Sequence, residues 1–243
     1  MTLSRCPYTD PLPVGGEWCP AAEIITCLTP FLTGERRQRI AQVIAQRTYT
    51  VTPVMEGLYD RGNVSAVLRS AEALGYQAVH VIDTSAKFRE ANRVTQGAEK
   101  WLDISVWEAM PACIQHLKSL GYRVLATCFD QARPIAEFDF TQPTALVFGN
   151  EKDGVSPELL SLADGRVVVP LAGFSQSFNI SVAAALCLYH AAEYRTRRLG
   201  QQGDLTEEEQ RLLTAAYYLR SIPSAADILK AMVARRSGAD APG

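Results

Sequence analysis

Two stretches of this chain carry the residues able to do chemistry. Residues 144–193 run through an apolar segment (145–148), a polar glycine turn (Gly149-Asn150-Glu151-Lys152-Asp153-Gly154) and a short helix from Ser156-Pro157. A second apolar segment (167–169), a loop from Pro170 to Ser177 and a long apolar helix opening near Asn179 follow. Two predicted strands thus end in loops rich in Gly, Asn and Ser, and each loop opens into a helix. In open α/β sheets ligands sit beyond the carboxyl ends of strands, where backbone N–H groups and small residues permit close approach. The stretch reads as a ligand pocket. The second stretch follows the first strand, with Asn63 at the start of a helix and Arg69 six residues on.

Several ordinary signatures are missing: no GxGxxG follows the first strand, and no GxxxxGK[ST], HExxH or GxSxG occurs. A nucleotide-cofactor oxidoreductase therefore lacks its glycine fingerprint. The three histidines (80, 116, 190) fall on a strand and two helices among apolar neighbours and read as structural. The six cysteines (6, 19, 27, 113, 128, 187) show no CxxC pair, which argues for reduced cytosolic thiols and against a zinc site or disulfide framework. Group transfer without metal or histidine leaves Arg, Asn, Ser and Glu as working groups. Each has a plainer reading too: Asn63 and Asn179 as helix N-caps, Arg69 as a surface arginine, Glu151 as a turn residue.

These residues need elements to hold them. The pattern predicts strands at 50–55, 78–82, 104–107, 123–127, 145–148 and 167–169, with helices at 64–74 (stopped by Gly75) and 109–120 (stopped by Gly121). Such alternation implies an α/β fold, a mostly parallel sheet with helices on both faces. Residues 50–199 form this domain. Residues 1–49 are an N-terminal extension, Pro/Gly-rich and loosely ordered up to 30, then one basic helix. Residues 200–243 are a C-terminal helical extension. Segment 83–101 is polar and basic, with Lys87, Arg89, Arg93 and Lys100. The N-terminus lacks the apolar core of a signal peptide, and no apolar run approaches the roughly 20 residues that span a bilayer. A cytoplasmic protein is expected. The net charge of −2 does not advertise nucleic-acid binding, so local clusters would have to supply it.

The segments Asn63-Val64-Ser65-Ala66-Val67-Leu68-Arg69, Phe148-Gly149-Asn150-Glu151-Lys152-Asp153-Gly154-Val155 and Val169-Pro170-Leu171 through Ser175-Gln176-Ser177-Phe178-Asn179-Ile180-Ser181-Val182-Ala183 resemble three ordered motifs. They are those of the SpoU-type RNA 2′-O-ribose methyltransferases, within the SPOUT superfamily. The likeness covers roughly residues 50–195. Gly97-Ala98-Glu99-Lys100-Trp101 and the basic helix before the first strand resemble the branch that modifies guanosine 18 in the tRNA D-loop.

The resemblance implies a C-terminal deep trefoil knot, one of the rare exceptions to unknotted chains. It also implies S-adenosyl-L-methionine as cofactor, no metal, a tRNA partner and a homodimer with Asn179 and the closing helix near its interface. By position the cofactor pocket falls to Thr127, Gly149, Val169, Leu171, Ser177 and Phe178, the last standing where the family usually has leucine. Arg69, Asn63, Glu151, Ser177 and Asn179 are the implied catalytic set. Arg36, Arg37, Arg39, Arg47, Lys100, Arg195, Arg197 and Arg198 are the candidate RNA contacts, with a solvated basic helix face as the bland alternative for the arms. Short arms suit tRNA better than rRNA. A 2′-O-methyltransferase acting on rRNA or another tRNA nucleotide, and a non-catalytic RNA-binding protein, are the alternatives.

Overall fold

The structure, a computed structural model, describes residues 4–58, 60–83 and 97–239, without the side chains of 233–239. In chain order the elements are β1 (Leu12–Val14), β2 (Glu17–Cys19), α1 (Ala21–Leu28), α2 (Gly34–Ile44), β3 (Val51–Glu56), α3 (Arg61–Ala73), β4 (Ala78–Ile82) and β5 (Asp103–Trp107). Next come α4 (Met110–Ser119), β6 (Arg123–Thr127), β7 (Arg133–Pro134), β8 (Thr144–Phe148), α5 (Pro157–Leu162) and β9 (Gly165–Val168). The chain closes with α6 (Ile180–Leu199), α7 (Glu207–Ser221) and α8 (Ala225–Ala239). Of the basic segment 83–101, residues 84–96, with Lys87, Arg89 and Arg93, lie outside the described residues.

The chain divides into two compact units, one holding Arg47–Asp204, the other Cys6–Gln46 and Leu205–Gly243. The first contains a sheet of order β5-β4-β3-β8-β6-β9-β7, in which every pairing is parallel. Strand alternation divides its side chains between two cores. Val51, Met55, Leu125, Leu146 and Phe148 face α3 and α6, which contribute Val64, Val67, Leu68, Ala184, Leu188 and Ala191. Val54, Val124, Ala126, Ala145 and Val147 face Cys113, Ile114 and Leu117 of α4 and Leu159 of α5. Helices therefore cover both faces, as the alternation predicts. β8 is buried at all five positions, which is why it reads as an unbroken apolar run. A slip of one residue would exchange the two cores, so burial fixes the register.

Two expectations change here. Arg47 and Arg195, assigned to RNA from their basic neighbourhoods, are 1% and 0% exposed. Arg47 donates to the Glu72 carbonyl at 2.8 Å and to Glu72 Oε1 at 2.6 Å. Arg195 donates to the Phe140 carbonyl at 3.0 Å and to Asp204 Oδ2 at 2.6 Å. Both guanidiniums are consumed as internal clamps. The cause is register: α2 stops at Ile44, before Arg47, and Arg195 continues the buried stripe Ala184, Leu188, Ala191 at helical spacing, while Arg197 and Arg198 point outward.

The Pro/Gly-rich start is also more ordered than expected. In the second unit β1 and β2 form an antiparallel hairpin, and Leu12, Ala21, Ile24, Cys27 and Leu28 are buried. Asp10 Oδ1 accepts from the Ala21 N–H at 2.8 Å and its other oxygen meets Arg211 of α7 at 3.1 Å. α7 starts with a reciprocal capping box between Thr206 and Glu209. The two ends of the chain supply each other's apolar partners, which local composition cannot reveal. Arg36, Arg37 and Arg39 are exposed on α2.

Candidate active site

Because β8, β6 and β9 are adjacent and parallel, the loops that follow them open on one edge of the sheet. The turn after β8 is closed by reciprocal backbone hydrogen bonds between Asn150 and Gly154, both 3.1 Å. Asn150 Oδ1 accepts from the N–H groups of Lys152 and Asp153 at 2.9 and 2.7 Å. A Cβ at Gly149 would lie 2.0 Å from the Gly154 carbonyl carbon, so only glycine permits this closure. Glu151 is thereby presented at the exposed tip. Ser156, which caps α5, is held by Glu56 at the end of β3, with N–H and Oγ donating to its carboxylate at 2.9 and 2.5 Å.

α3 begins earlier than expected. Its N-cap is Asp60, whose Oδ1 accepts from the Asn63 N–H at 2.9 Å. Capping by Asp60 frees the Asn63 side chain, whose Nδ2 donates to Glu151 Oε1 at 2.7 Å. Its Oδ1 accepts from Asn179 Nδ2 at 3.2 Å. Asn179 also caps α6, its Oδ1 accepting from the Ser181 N–H at 2.9 Å and the Ser181 hydroxyl at 2.6 Å. Glu151, Asn63 and Asn179 thus form one hydrogen-bonded row from three segments 88 and 116 residues apart.

The remaining candidates stand outside the row. Arg69 is exposed on α3 and, among the described residues, makes no hydrogen bond to Asn63 or Glu151; it borders a cleft with Ala66, Glu72 and Trp101. Ser177 and Phe178 are exposed in the loop before α6. Val169 and Leu171 are half-buried beside it, and Thr127 Oγ1 donates to the Val147 carbonyl at 2.9 Å, tying the end of β6 to β8. Lys100 is exposed, its Nζ 5.3 Å from the Trp101 ring centroid. Arg197 and Arg198 are exposed at the end of α6, Arg197 within 3.4 Å of Glu193. Sequence reasoning missed Asp60, Glu56 and Ser181. An Asp three residues before Asn63 was the available signal for the first.

Other titratable groups take no part. Burial pushes His80 down to about 4, with His116 adding to the effect, and Trp107 Nε1 donates to its Nδ1 at 3.1 Å. Burial raises Cys128, beside the end of β6, so it is a thiol rather than a thiolate nucleophile. Among the described residues no group of His, Cys, Asp and Glu could hold a metal. Among the described residues there is also no disulfide and no helix long and apolar enough to cross a membrane.

A parallel sheet under two helical layers, with three loops and a polar row at one edge of it, defines an α/β protein with a candidate ligand site at the strand ends. Residues 51–189 match the profile of the SpoU rRNA Methylase family. The tRNA (guanosine(18)-2′-O)-methyltransferase of Escherichia coli K12 is 36% identical over 75% of this chain and 82% of its own. The A. aeolicus TrmH/SpoU tRNA modifying enzyme superposes with a TM-score of 0.67 at 31% identity, over 75% of this chain and 95% of that one. The SpoU methyltransferase AviRb from Streptomyces viridochromogenes, in complex with the cofactor AdoMet, gives a TM-score of 0.58 at 26% identity, over 64% of each. This chain belongs to the SpoU methylase family.

The strand-end loops fit a nucleoside-type cofactor. Gly149 keeps the turn closed against Gly154, and Val169 and Leu171 are half-buried apolar residues next to the loop before α6. Backbone groups and apolar contact suffice for an adenine and ribose.

Proposed function

We propose that this protein transfers a methyl group from S-adenosyl-L-methionine to the ribose 2′-hydroxyl of guanosine 18 in the tRNA D-loop. The hydrogen-bonded row of Glu151, Asn63 and Asn179 carries the reading: it joins side chains from the three segments that match the family's motifs. The named relatives favour tRNA over the rRNA alternative. Thr127, Gly149, Val169, Leu171, Ser177 and Phe178 hold the cofactor, and the C-terminal part of the sheet domain, around residues 144–193, forms the deep trefoil knot. S-adenosylmethionine, when bound, supplies an electrophilic methyl on its sulfonium sulfur.

A ribose hydroxyl is a weak nucleophile and must lose its proton as it attacks. An arginine side chain has only donors and no acceptor, so Arg69 acts by stabilising the forming alkoxide, with help from an adjacent RNA phosphate. Asn63, fixed by Glu151 and Asn179, positions the ribose beside Arg69. Ser177 orders the cofactor loop. Arg36, Arg37, Arg39, Lys100, Arg197 and Arg198 contact RNA phosphates, a local positive charge compatible with the overall −2. The protein works in the cytoplasm as a homodimer. Val182, Leu186 and Tyr189, 46%, 39% and 56% exposed along α6 at helical spacing, support that assembly.

The test is transfer of radiolabelled methyl from S-adenosylmethionine to unmodified tRNA and, separately, to rRNA, with the labelled nucleotide mapped. Label on guanosine 18 is expected, and Arg69→Ala should abolish it with cofactor affinity nearly unchanged. Label confined to rRNA would replace the substrate assignment. Absence of label from both, with cofactor bound, would end the catalytic reading.

A further inference from the structure

Beside Arg69, α3 and the turn Ala98–Trp101 enclose a cleft of about 710 Å³. This lies in the usual range of small-ligand sites, roughly 300–1,000 Å³. Its walls are unlike those of a general phosphate groove. Ala66, Ala73 and Gly97 leave a smooth floor, Trp101 adds an aromatic ring, and Glu72 contributes a carboxylate. Arg69 and Glu72 stand three residues apart on α3, so their side chains are neighbours on one face.

Glu72 is fixed in place. Arg47, itself buried, donates to its carbonyl and to Oε1, and the carboxylate keeps 29% of its side chain exposed. Arg47 fills one of roughly four lone-pair positions on the two oxygens, leaving the rest to a ligand. A carboxylate so placed repels phosphate and seeks a pair of N–H donors. The Watson–Crick edge of guanine offers such a pair, N1–H and the N2 amine. Adenine presents an acceptor at N1 and would set lone pair against lone pair.

We propose that this cleft is the base-selecting pocket of the reaction. Trp101 stacks on the guanine, and Glu72, steadied by Arg47, accepts from N1–H and N2–H while Arg69 meets the ribose of the same nucleotide. The inference rests on the proposed guanosine 2′-O-methyl transfer and assigns its specificity to Glu72. Stacking on Trp101 is tolerant of base identity, so it contributes affinity rather than choice.

The experiment uses full-length protein and synthetic tRNA carrying guanosine, inosine or adenosine at the mapped position, and reads kcat/KM for each. A site built to hydrogen-bond a substrate group rejects analogues lacking it strongly. Wild type should prefer guanosine over inosine by about 10-fold and over adenosine by about 1,000-fold or more. In Glu72→Gln one carboxylate oxygen becomes an NH2 donor that opposes a guanine N–H, and the guanosine-to-adenosine ratio should fall by at least about 30-fold. Trp101→Leu should raise KM for every substrate and leave the ratios unchanged. An active Glu72→Gln enzyme with wild-type ratios would overturn the proposal. If that variant does not fold, the wild-type series decides: equal rates on guanosine and adenosine overturn it, and strong rejection of adenosine with partial loss on inosine upholds it. Wild type that methylates no tRNA guanosine refutes the underlying function instead, and the pocket assignment with it.

Discussion

Asn63 links the three motif segments, so removing its side chain should disable the site without unfolding the protein. The bond from Asn63 Nδ2 to Glu151 Oε1, at 2.7 Å, is charge-assisted. Such bonds contribute roughly 1.5–3 kcal/mol where water cannot replace them, as in a site closed over its substrate. Glu151 is exposed and Asn63 partly so, and water satisfies either when freed. Asn63→Ala and Glu151→Ala should therefore each change unfolding free energy by no more than about 0.5 kcal/mol. In the reaction the bond acts by orientation, and losing about 2 kcal/mol of it slows methyl transfer about 30-fold. Both substitutions remove the same contact, so the double variant should be about as slow as the slower single, a coupling of about 2 kcal/mol. Single-turnover transfer to tRNA at saturating cofactor measures all four proteins. Strictly multiplicative losses, with coupling near zero, would show that the contact has no part in catalysis.

Arg47→Met should destabilise the protein by about 3 kcal/mol in urea unfolding, because it removes the buried guanidinium's hydrogen bonds to the Glu72 and Tyr76 carbonyls and to the Glu72 carboxylate. The salt dependence of tRNA binding should stay unchanged, and a slope reduced by about 1 would restore Arg47 to the phosphate contacts. His80 gives a pH signature: its folded value of about 4 lies below the ordinary 6.5, so the unfolded chain binds the proton more readily. The stability from keeping His80 neutral is complete above pH 6.5 and is lost as pH falls towards 4, a total of about 3 kcal/mol. Unfolding titrations from pH 7 to 4 should show this loss in wild type and a shallower one in His80→Gln; identical slopes would remove His80 as the cause.

The sequence by itself determined the classes of element and most of their positions. The apolar run of β8, the glycine stops after α3 and α4, and the Ser156-Pro157 start of α5 are local signals, written within a few residues of where they act. The glycine turn was legible for the same reason, since Gly149 and Gly154 answer to backbone constraints inside six residues. Site residues could be nominated through their resemblance to ordered motifs. What they touch could not be read this way. Only the tertiary structure brought Asn63, Glu151 and Asn179 into one row, because their bonds span separations that carry no periodic trace. It also divided the basic residues, turning Arg195 inward and Arg197 outward on the same helix. Local charge is identical for both; which face of α6 meets the sheet is set by Ala184, Leu188 and Ala191 packing against strands distant in sequence.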